Sequence, residues 1–441
     1  VSVTEIQIGS LRNSFDEVQH IPKLEFHSLE YSLPPSKSHM IRILALSALN
    51  HGTCKIKFNG VLGLDIESMI KSLQSLGVEI IQLSENYETT VMISGIGNSG
   101  FHTDASTIDC GNSGTALRII MGLVSSMAKE IVVIGDDSLS HRYNESMTNS
   151  LLEASVSIEK HGDNYLPLKI RGPWFNGAET NQVITLDCSK SSQPLTSWMI
   201  ASALFPCNVS LKVLGKTVSN RHYLLTKDMC NSYGASIIKT DYGYQLNKWD
   251  VSLPDEIIVP GDSSMASFAI LLSKIHSCRL QLSNWPSDKD ALGNEILFEL
   301  SNELGFNWSG NRIECLNSGI FSVYDLTDCN DLITPLSVII SLGGGGEITG
   351  ISHTIYKESN RIERTMELMG HFGLKAIFDG EKLIIEGGQK LSEPQSPINS
   401  YNDHRLFMTA VIMMTKFGGD IIGKGLHCVA DVNFLSRLGI D

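Results

Sequence analysis

Residues 41–58 read IRILALSALNHGTCKIKF, and this stretch contains the pattern that decides the fold. The apolar run from Ile41 predicts a buried helix, His51-Gly52 predicts a polar turn, and the alternation from Cys54 to Phe58 predicts a strand. An amphipathic helix is predicted around Glu67–Leu76, followed by Gly77 and a second strand. The stretch therefore predicts one βαβ-like unit.

The same order of elements recurs five more times, at intervals of about 70–80 residues. The later units are marked by helices that include or begin at Ala116, Leu195, Ala266, Leu332 and Leu406, and the sixth is cut short near Leu438-Gly439. Six such units predict an α/β architecture with helices packed on sheets.

Composition narrows the possible functions. The chain has 441 residues, which predicts two or three domains, and a net charge of 34 − 48 = −14, which argues against nucleic acid as a partner. It has neither an apolar run of the roughly 18 residues needed to cross a bilayer nor the features of a signal peptide in its first ten residues. Nine scattered cysteines without a CxxC pair predict free thiols and no structural zinc. We therefore expect a cytoplasmic protein without a membrane partner.

Each predicted apolar helix begins with a polar cluster, at residues 34–38, 110–115, 191–193, 261–264, 330–331 and 401–405. Such residues are typical helix caps, but the unpaired N–H groups and positive dipole of a helix start also bind anions. Three clusters contain more than a cap requires, namely Lys37 with Arg42, Gly114 near Arg118, and His404 with Arg405. Concentrated basic residues in an acidic chain indicate a small, multiply anionic ligand.

Six stretches, read in chain order, give these clusters a family resemblance. They are LPPSKSHMIR (33–42), GNSGTALR (111–118), SSQPLT (191–196), GDSSMAS (261–267), YKESNR (356–361) and YNDHR (401–405). Together they resemble the enolpyruvyl transferases, and among these the 5-enolpyruvylshikimate-3-phosphate synthases, over nearly the whole chain.

The resemblance implies two domains of three βαβ-type units each, with the helix starts facing an interdomain cleft. One domain would span 36–259 and the other would combine 1–35 with 260–441, with hinges near 34–36 and 259–261. The implied protein is a monomer that needs no metal or organic cofactor.

The implied reaction belongs to the shikimate pathway of chorismate and aromatic amino acid synthesis. The enolpyruvyl group of phosphoenolpyruvate moves to the 5-hydroxyl of shikimate 3-phosphate by addition and elimination through a tetrahedral intermediate, and phosphate is released. Two alternatives remain open at this point. One is a paralogue that acts on another phosphorylated cyclic alcohol, and the other is a non-catalytic relative that only binds ligands.

The resemblance also assigns residues to roles. The catalytic set would be Asp331 as base, Lys37 and Glu358 as proton-handling partners, and the active-site His404. Phosphoenolpyruvate would be bound by Lys37, Asn112, the Gly114 backbone, Arg142, Gln193, Arg361 and Arg405. Shikimate 3-phosphate would be bound by Lys37, Ser38, Arg42, Ser191, Ser192, Gln193, Ser219, Asp331, His353 and Lys357. Lys357 and Arg361 are four residues apart and would share one face if the stretch were helical.

Two stretches depart from the family pattern. After Ser219 the family has a basic residue, Pro and Tyr, whereas this chain has Asn220-Arg221-His222 with Tyr223 one place late. Near the C-terminus Val429 stands where the family has a Lys that contacts phosphoenolpyruvate, and Lys424 is out of register. A missing cation predicts weaker binding of phosphoenolpyruvate.

Overall fold

A computed structural model describes residues 15–85, 88–178, 180–316 and 319–440 of the chain. These residues contain six small sheets, five with four strands and one with three. The predicted α/β architecture of six repeated units is confirmed, because each sheet is accompanied by helices and follows one topological scheme.

The unit around helix Gly114–Val124 illustrates the scheme. Strand Thr107–Asp109 precedes the helix and pairs in parallel with strand Ile131–Ile134 that follows it. Strands Leu168–Arg171 and Ser157–Lys160 then add antiparallel partners. A parallel pair requires a crossover, so the helix begins where the first strand ends. This connection places each helix start at one edge of its sheet.

Two units exchange their first strands, and the pairing of these strands was not predicted from the sequence. Strand Ser28–Ser32 precedes the helix that begins at Lys37, yet it pairs in parallel with Arg279–Ser283. Strand Glu256–Ile258 precedes the helix that begins at Ala266, yet it pairs in parallel with Thr53–Asn59. This exchange makes one half of the fold discontinuous in sequence.

Contacts divide the chain into two compact units. We call Ser36–Val259 the continuous unit, and residues up to Pro35 together with those from Pro260 the discontinuous unit. Each contains three of the sheets. The three-stranded sheet is completed by strand Val18–Ile21, which pairs antiparallel with Gly419–Ile422.

The described elements have the following bounds. The α-helices are Lys37–Leu49, Leu64–Ser75, Gly114–Val124, Asp137–Ser140, Glu145–Glu153, Gln193–Ala201, Asn220–Ser232, Ala266–His276, Ile296–Glu299, Ile333–Leu342, Arg361–His371, His404–Met414 and Phe434–Arg437. The 3-10 turns are Gly97–Ser99, Trp174–Gly177, Ser202–Leu204, Ser263–Met265, Asn330–Leu332, Ser352–Tyr356 and Leu426–Val429. The remaining strands are Glu79–Glu85, Glu88–Ser94, Gln182–Asp187, Val209–Leu214, Ile238–Thr240, Gly243–Leu246, Phe306–Ser309, Arg312–Cys315, Ser322–Asp325, Gly345–Thr349, Ile377–Phe378, Leu383–Glu386 and Ile398–Asn399.

The helices that carry the polar clusters lie in the core. All eleven residues of His404–Met414 are buried, and so are nine of the ten residues of Ile333–Leu342. A helix buried on every side must be apolar all round, which explains why these segments lack amphipathic periodicity. No helix in the described part of the chain could cross a membrane. The nine cysteines are free thiols, and eight of them are buried.

Candidate active site

In the continuous unit, Lys37 is held by a buried carboxylate. Lys37 is the first residue of helix Lys37–Leu49, which the Ser36 side chain caps. Its Nζ lies 2.8 Å from Oδ2 of Asp65, the second residue of helix Leu64–Ser75. Asp65 is buried, and its Oδ1 has no hydrogen-bond partner within the described residues. Asp65 therefore fixes the Lys37 ammonium where the helix begins.

The start of helix Gly114–Val124 forms a cationic cradle. A Cβ added to Gly114 would lie 2.9 Å from Arg118 Nη1, 3.4 Å from Gln193 Oε1 and 3.7 Å from Arg142 Nη1. Only glycine leaves this space open. Burial, and then the adjacent Arg142 charge, lowers the pKa of the Arg118 guanidinium. Two guanidinium groups near a partly buried helix start fit a phosphate-sized anion.

Arg142 is oriented by a chain of polar contacts. Its Nη2 donates to Asn112 Oδ1 at 2.5 Å and to Ser138 Oγ at 3.0 Å, and its Nη1 donates to the Asn112 carbonyl at 2.9 Å. Asn112 Nδ2 in turn donates to Asp136 Oδ2 at 2.6 Å. The amide of Asn112 therefore orients the guanidinium, and Asp136 fixes the amide.

The serine cluster of the third helix start is also connected. Ser192 Oγ donates to the Ser219 carbonyl at 3.3 Å, and Ser219 has φ of 52°. Ser191 Oγ accepts from the Gln193 backbone at 3.3 Å, and Gln193 Nε2 donates to Thr115 Oγ1 at 3.2 Å. These contacts bring the predicted phosphate-binding serines next to the residue that follows Gly114.

Arg42 is buried among neutral oxygens. Its Nε donates to Thr226 Oγ1 at 2.7 Å, its Nη1 to the Ser38 carbonyl at 2.7 Å, and its Nη2 to Thr196 Oγ1 at 3.3 Å. Burial lowers the pKa of this guanidinium to about 10. A buried cation surrounded by neutral acceptors favours a bound anion.

In the discontinuous unit, two buried guanidinium groups contact a cluster of three carboxylates. Arg361 donates from Nε to Asp403 Oδ2 at 2.8 Å, from Nη1 to Asp331 Oδ1 at 2.5 Å and from Nη2 to Glu358 Oε2 at 2.5 Å. Arg405 donates from Nη2 to Asp331 Oδ2 at 3.1 Å. Although burial opposes its charge, the neighbouring carboxylates, Asp403 first, raise the pKa of Arg361 well above its ordinary value.

Arg405 retains donors that no protein group uses. It is 2% exposed, and its Nε and Nη1 lack hydrogen-bond partners within the described residues. Its Nη2 also donates to Ser264 Oγ at 3.0 Å. Buried guanidinium N–H groups are costly to leave unbonded. The two vacant donors therefore point to an anionic ligand.

His353 and His404 are buried near these charges. His353 lies in the turn Ser352–Tyr356 and is 4% exposed, with no hydrogen-bond partner for Nε2 within the described residues. Burial and then the Lys357 charge lower its pKa to about 3, against the opposing effect of Asp331. His404 is the buried first residue of helix His404–Met414. His353 is therefore a neutral imidazole near pH 7.

Residues 357–360 are not helical. Lys357 lies outside the helix, which begins at Arg361 because the Asn360 side chain caps the backbone N–H of Glu363. The spacing of Lys357 and Arg361 therefore does not place them on one helical face.

The first departure from the family pattern, at His222 and Tyr223, corresponds to a tyrosine that is buried. Tyr223 is 8% exposed and packs edge-on against Tyr244, with ring centroids 6.0 Å apart. His222, at the position where the family has Tyr, donates its backbone N–H to the Ser219 carbonyl at 3.2 Å. The displaced tyrosine is thus a core residue of the continuous unit.

The second departure from the family pattern is Val429, which is buried. Val429 ends the turn Leu426–Val429 and is 3% exposed. Lys424 pairs with Glu17 at 3.1 Å, and both side chains are more than half exposed. Lys424 is thus engaged in a surface ion pair.

Comparison with known proteins identifies the family. The sequence model of the family described as EPSP synthase (3-phosphoshikimate 1-carboxyvinyltransferase) matches residues 28–432. The chain therefore belongs to the EPSP synthase family. The 3-phosphoshikimate 1-carboxyvinyltransferase of Methanobrevibacter smithii is 27% identical over 438 residues, covering 93% of this chain and 96% of that protein. That of Methanocaldococcus jannaschii is 27% identical over 406 residues, covering 90% and 91%.

Solved structures share the fold. The EPSP synthase of Acinetobacter baumannii has a TM-score of 0.70 at 21% identity, covering 96% of this chain and 97% of that one. The enolpyruvyl transferase NikO of Streptomyces tendae has a TM-score of 0.69 at 10% identity, covering 96% of both chains. At these identities the likeness concerns the fold alone.

Proposed function

We propose that this chain transfers the enolpyruvyl group of phosphoenolpyruvate to the 5-hydroxyl of shikimate 3-phosphate and releases phosphate. Membership of the EPSP synthase family supports the reaction. The observation in the site that carries it is Arg405, a buried guanidinium with two vacant donors beside Asp331. A buried guanidinium with vacant N–H groups suits an anionic carboxylate.

The charges of the two substrates indicate which residues would bind each substrate group. Both substrates carry a carboxylate and a phosphate, so their repulsion must be offset by fixed positive charge. Arg361 and Arg405 would hold the carboxylate of phosphoenolpyruvate. The Gly114 cradle, with Arg142 and Gln193, would hold its phosphate. Shikimate 3-phosphate would be bound by Lys37, Ser38, Arg42, Ser191, Ser192, Gln193, Ser219, Asp331, His353 and Lys357.

Proton transfer requires acid and base groups that can exchange their hydrogen-bond partners. Asp331 is engaged on both oxygens, by Arg361 and by Arg405. A substrate carboxylate on the vacant Arg405 donors would share the guanidinium charge and weaken the Nη2 contact to Asp331, so that one Asp331 oxygen could accept the proton of the attacking hydroxyl. Lys37 or Glu358 would protonate the methylene carbon of phosphoenolpyruvate as the new C–O bond forms.

The tetrahedral intermediate then collapses in the reverse sense. The proton returns from the methyl carbon to its donor, the bond to the phosphate oxygen breaks, and phosphate leaves with the electron pair and takes up the proton that Asp331 had accepted. No net oxidation occurs. Acid–base groups of this kind contribute roughly 10²–10⁴-fold to the rate.

The test is phosphate release from phosphoenolpyruvate with and without shikimate 3-phosphate, with the organic product identified by mass spectrometry. Arg405→Lys keeps the charge but loses the planar fork, so we expect the KM for phosphoenolpyruvate to rise about 10- to 150-fold. Arg312→Lys, on an exposed strand position, is the matched control. Release that needs a different phosphorylated cyclic alcohol would favour a paralogue, and no release with any acceptor would favour a binding protein.

A further inference from the structure

The turn before helix His404–Met414 has a strained backbone. Tyr401 and Asn402 have φ angles of 52° and 54°, so two successive residues other than glycine are left-handed. Asn tolerates this conformation because its short side chain bonds locally, whereas Tyr is rarely found there. Such strain persists only where surrounding contacts maintain it. The contacts of Tyr401 therefore explain how the turn is held.

Three side chains form what we call the Tyr401 clamp, namely Tyr401, Arg364 and Glu367. The Tyr401 hydroxyl donates to Glu367 Oε1 at 2.6 Å. The Arg364 guanidinium carbon lies 4.0 Å from the centroid of the Tyr401 ring. Arg364 Nη1 also donates to Glu367 Oε2 at 2.7 Å. The ring is thus held on its face by a cation and at its hydroxyl by a carboxylate.

One helix holds both ends of the turn. Arg364 and Glu367 are one turn apart on helix Arg361–His371, and Arg361 at its start donates from Nε to Asp403 Oδ2 at 2.8 Å. Asp403 Oδ1 accepts the backbone N–H of the next residue but one, Arg405, at 2.9 Å. The helix therefore fixes residue 401 through the clamp and residue 403 through Arg361.

We propose that Tyr401 is a positioning residue that sets the approach of Arg405 to its anionic ligand. In this arrangement the clamp stabilises the left-handed turn, and the turn directs the first residues of helix His404–Met414 so that the Arg405 donors stay aligned with Asp331. Tyr401 itself touches no substrate. The inference rests on the proposed function for the identity of the anion, the carboxylate of phosphoenolpyruvate.

The test compares Tyr401→Phe with Glu367→Gln. Tyr401→Phe keeps the ring under Arg364 and removes only the hydroxyl, while Glu367→Gln keeps an amide oxygen for that hydroxyl and removes the charge. We expect Tyr401→Phe to raise the KM for phosphoenolpyruvate about 5- to 10-fold, part of the 10- to 150-fold value of a charge-assisted hydrogen bond. The KM for shikimate 3-phosphate should change less than about twofold, and Glu367→Gln should have a smaller effect in the same direction. Tyr242→Phe, at a 77% exposed position, is the matched control.

Hydrogen exchange of the peptide 400–406 provides a readout that does not depend on turnover. Faster exchange at the Arg405 amide in Tyr401→Phe supports the clamp even if the wild type releases no phosphate, an outcome that would refute the proposed function alone. Unchanged exchange with an unchanged KM for phosphoenolpyruvate overturns the proposal. Equal losses in both KM values and kcat, together with a lower unfolding temperature, would mean a purely structural role and would also overturn it.

Discussion

Asp403→Asn tests whether the buried charge network organises the site. Asp403 is fully buried, and its carboxylate accepts four hydrogen bonds, from Arg361 Nε at 2.8 Å and Nη2 at 3.4 Å, from Ser359 Oγ at 3.1 Å and from the Arg405 backbone at 2.9 Å. Asparagine has nearly the same shape but no charge. Asparagine keeps one acceptor oxygen, so the bonds to the other oxygen are lost and the remaining ones go to a neutral acceptor; for the three bonds of 3.1 Å or less the loss is roughly 1 kcal/mol apiece. The sum is about 3 kcal/mol.

This estimate lies at the lower end of the roughly 3–5 kcal/mol for breaking a buried ion pair. The lower end is expected because Arg361 still has Asp331 and Glu358 as partners. The measurement is the free energy of unfolding in urea, followed by hydrogen exchange of helix His404–Met414. Asp420→Asn is the control, since its pair with His20 is exposed and contributes at most about 1 kcal/mol. A change below about 0.5 kcal/mol in Asp403→Asn would refute the reasoning.

The other predictions concern catalysis, binding and pH. Lys37→Met or Asp331→Ala should lower kcat by about 10²–10⁴-fold in a protein that still folds; near-normal turnover of shikimate 3-phosphate would remove the residue from its role. Val429→Lys should lower the KM for phosphoenolpyruvate if the added ammonium reaches the site, and it should lower the stability of the protein because Val429 is buried. An unchanged KM would show that other cations supply the positive charge of the site. Burial lowers the pKa of His427 to about 4, so the unfolded chain binds the proton first, and stability should be complete above pH 6.5 and fall by about 1–2 kcal/mol by pH 5. His427→Gln should flatten this loss, and an identical pH profile in the variant would exclude His427 as its source.

The helix starts could be predicted from sequence because their chemistry is local. A polar cap followed by an apolar run marks Lys37, Gly114 and Arg405 without knowledge of the tertiary structure. The six-unit α/β fold followed from the same recurring order and is confirmed. What the motifs do not contain is the partner of each charged group.

Asp65 and Asp136 illustrate this limit. They lie 28 and 24 residues from the groups they hold, Lys37 and Asn112. Neither aspartate belongs to one of the six stretches that carry the family resemblance. Asp403 lies inside the YNDHR stretch, which predicts only a helix start. Its carboxylate also accepts a hydrogen bond from Arg361, which the stretch does not indicate. The resemblance implied that residues 1–35 belong with 260–441, but it did not indicate which strands pair, because strand pairing depends on contacts distant in sequence. The sequence signal that could have found Asp65 is its place in the first turn of an amphipathic helix, where a carboxylate is favoured anyway.

The strand Val18–Ile21 has a consequence for the order in which the protein is made. It pairs with Gly419–Ile422, about 400 residues later in the chain. At roughly 5–20 residues per second a ribosome needs on the order of 20–80 s to deliver that partner. The continuous unit, whose strands all lie within residues 53–258, can be completed meanwhile. Strand Val18–Ile21 therefore remains without its partner strand throughout that interval, whereas Ser28–Ser32 has to wait only for Arg279–Ser283.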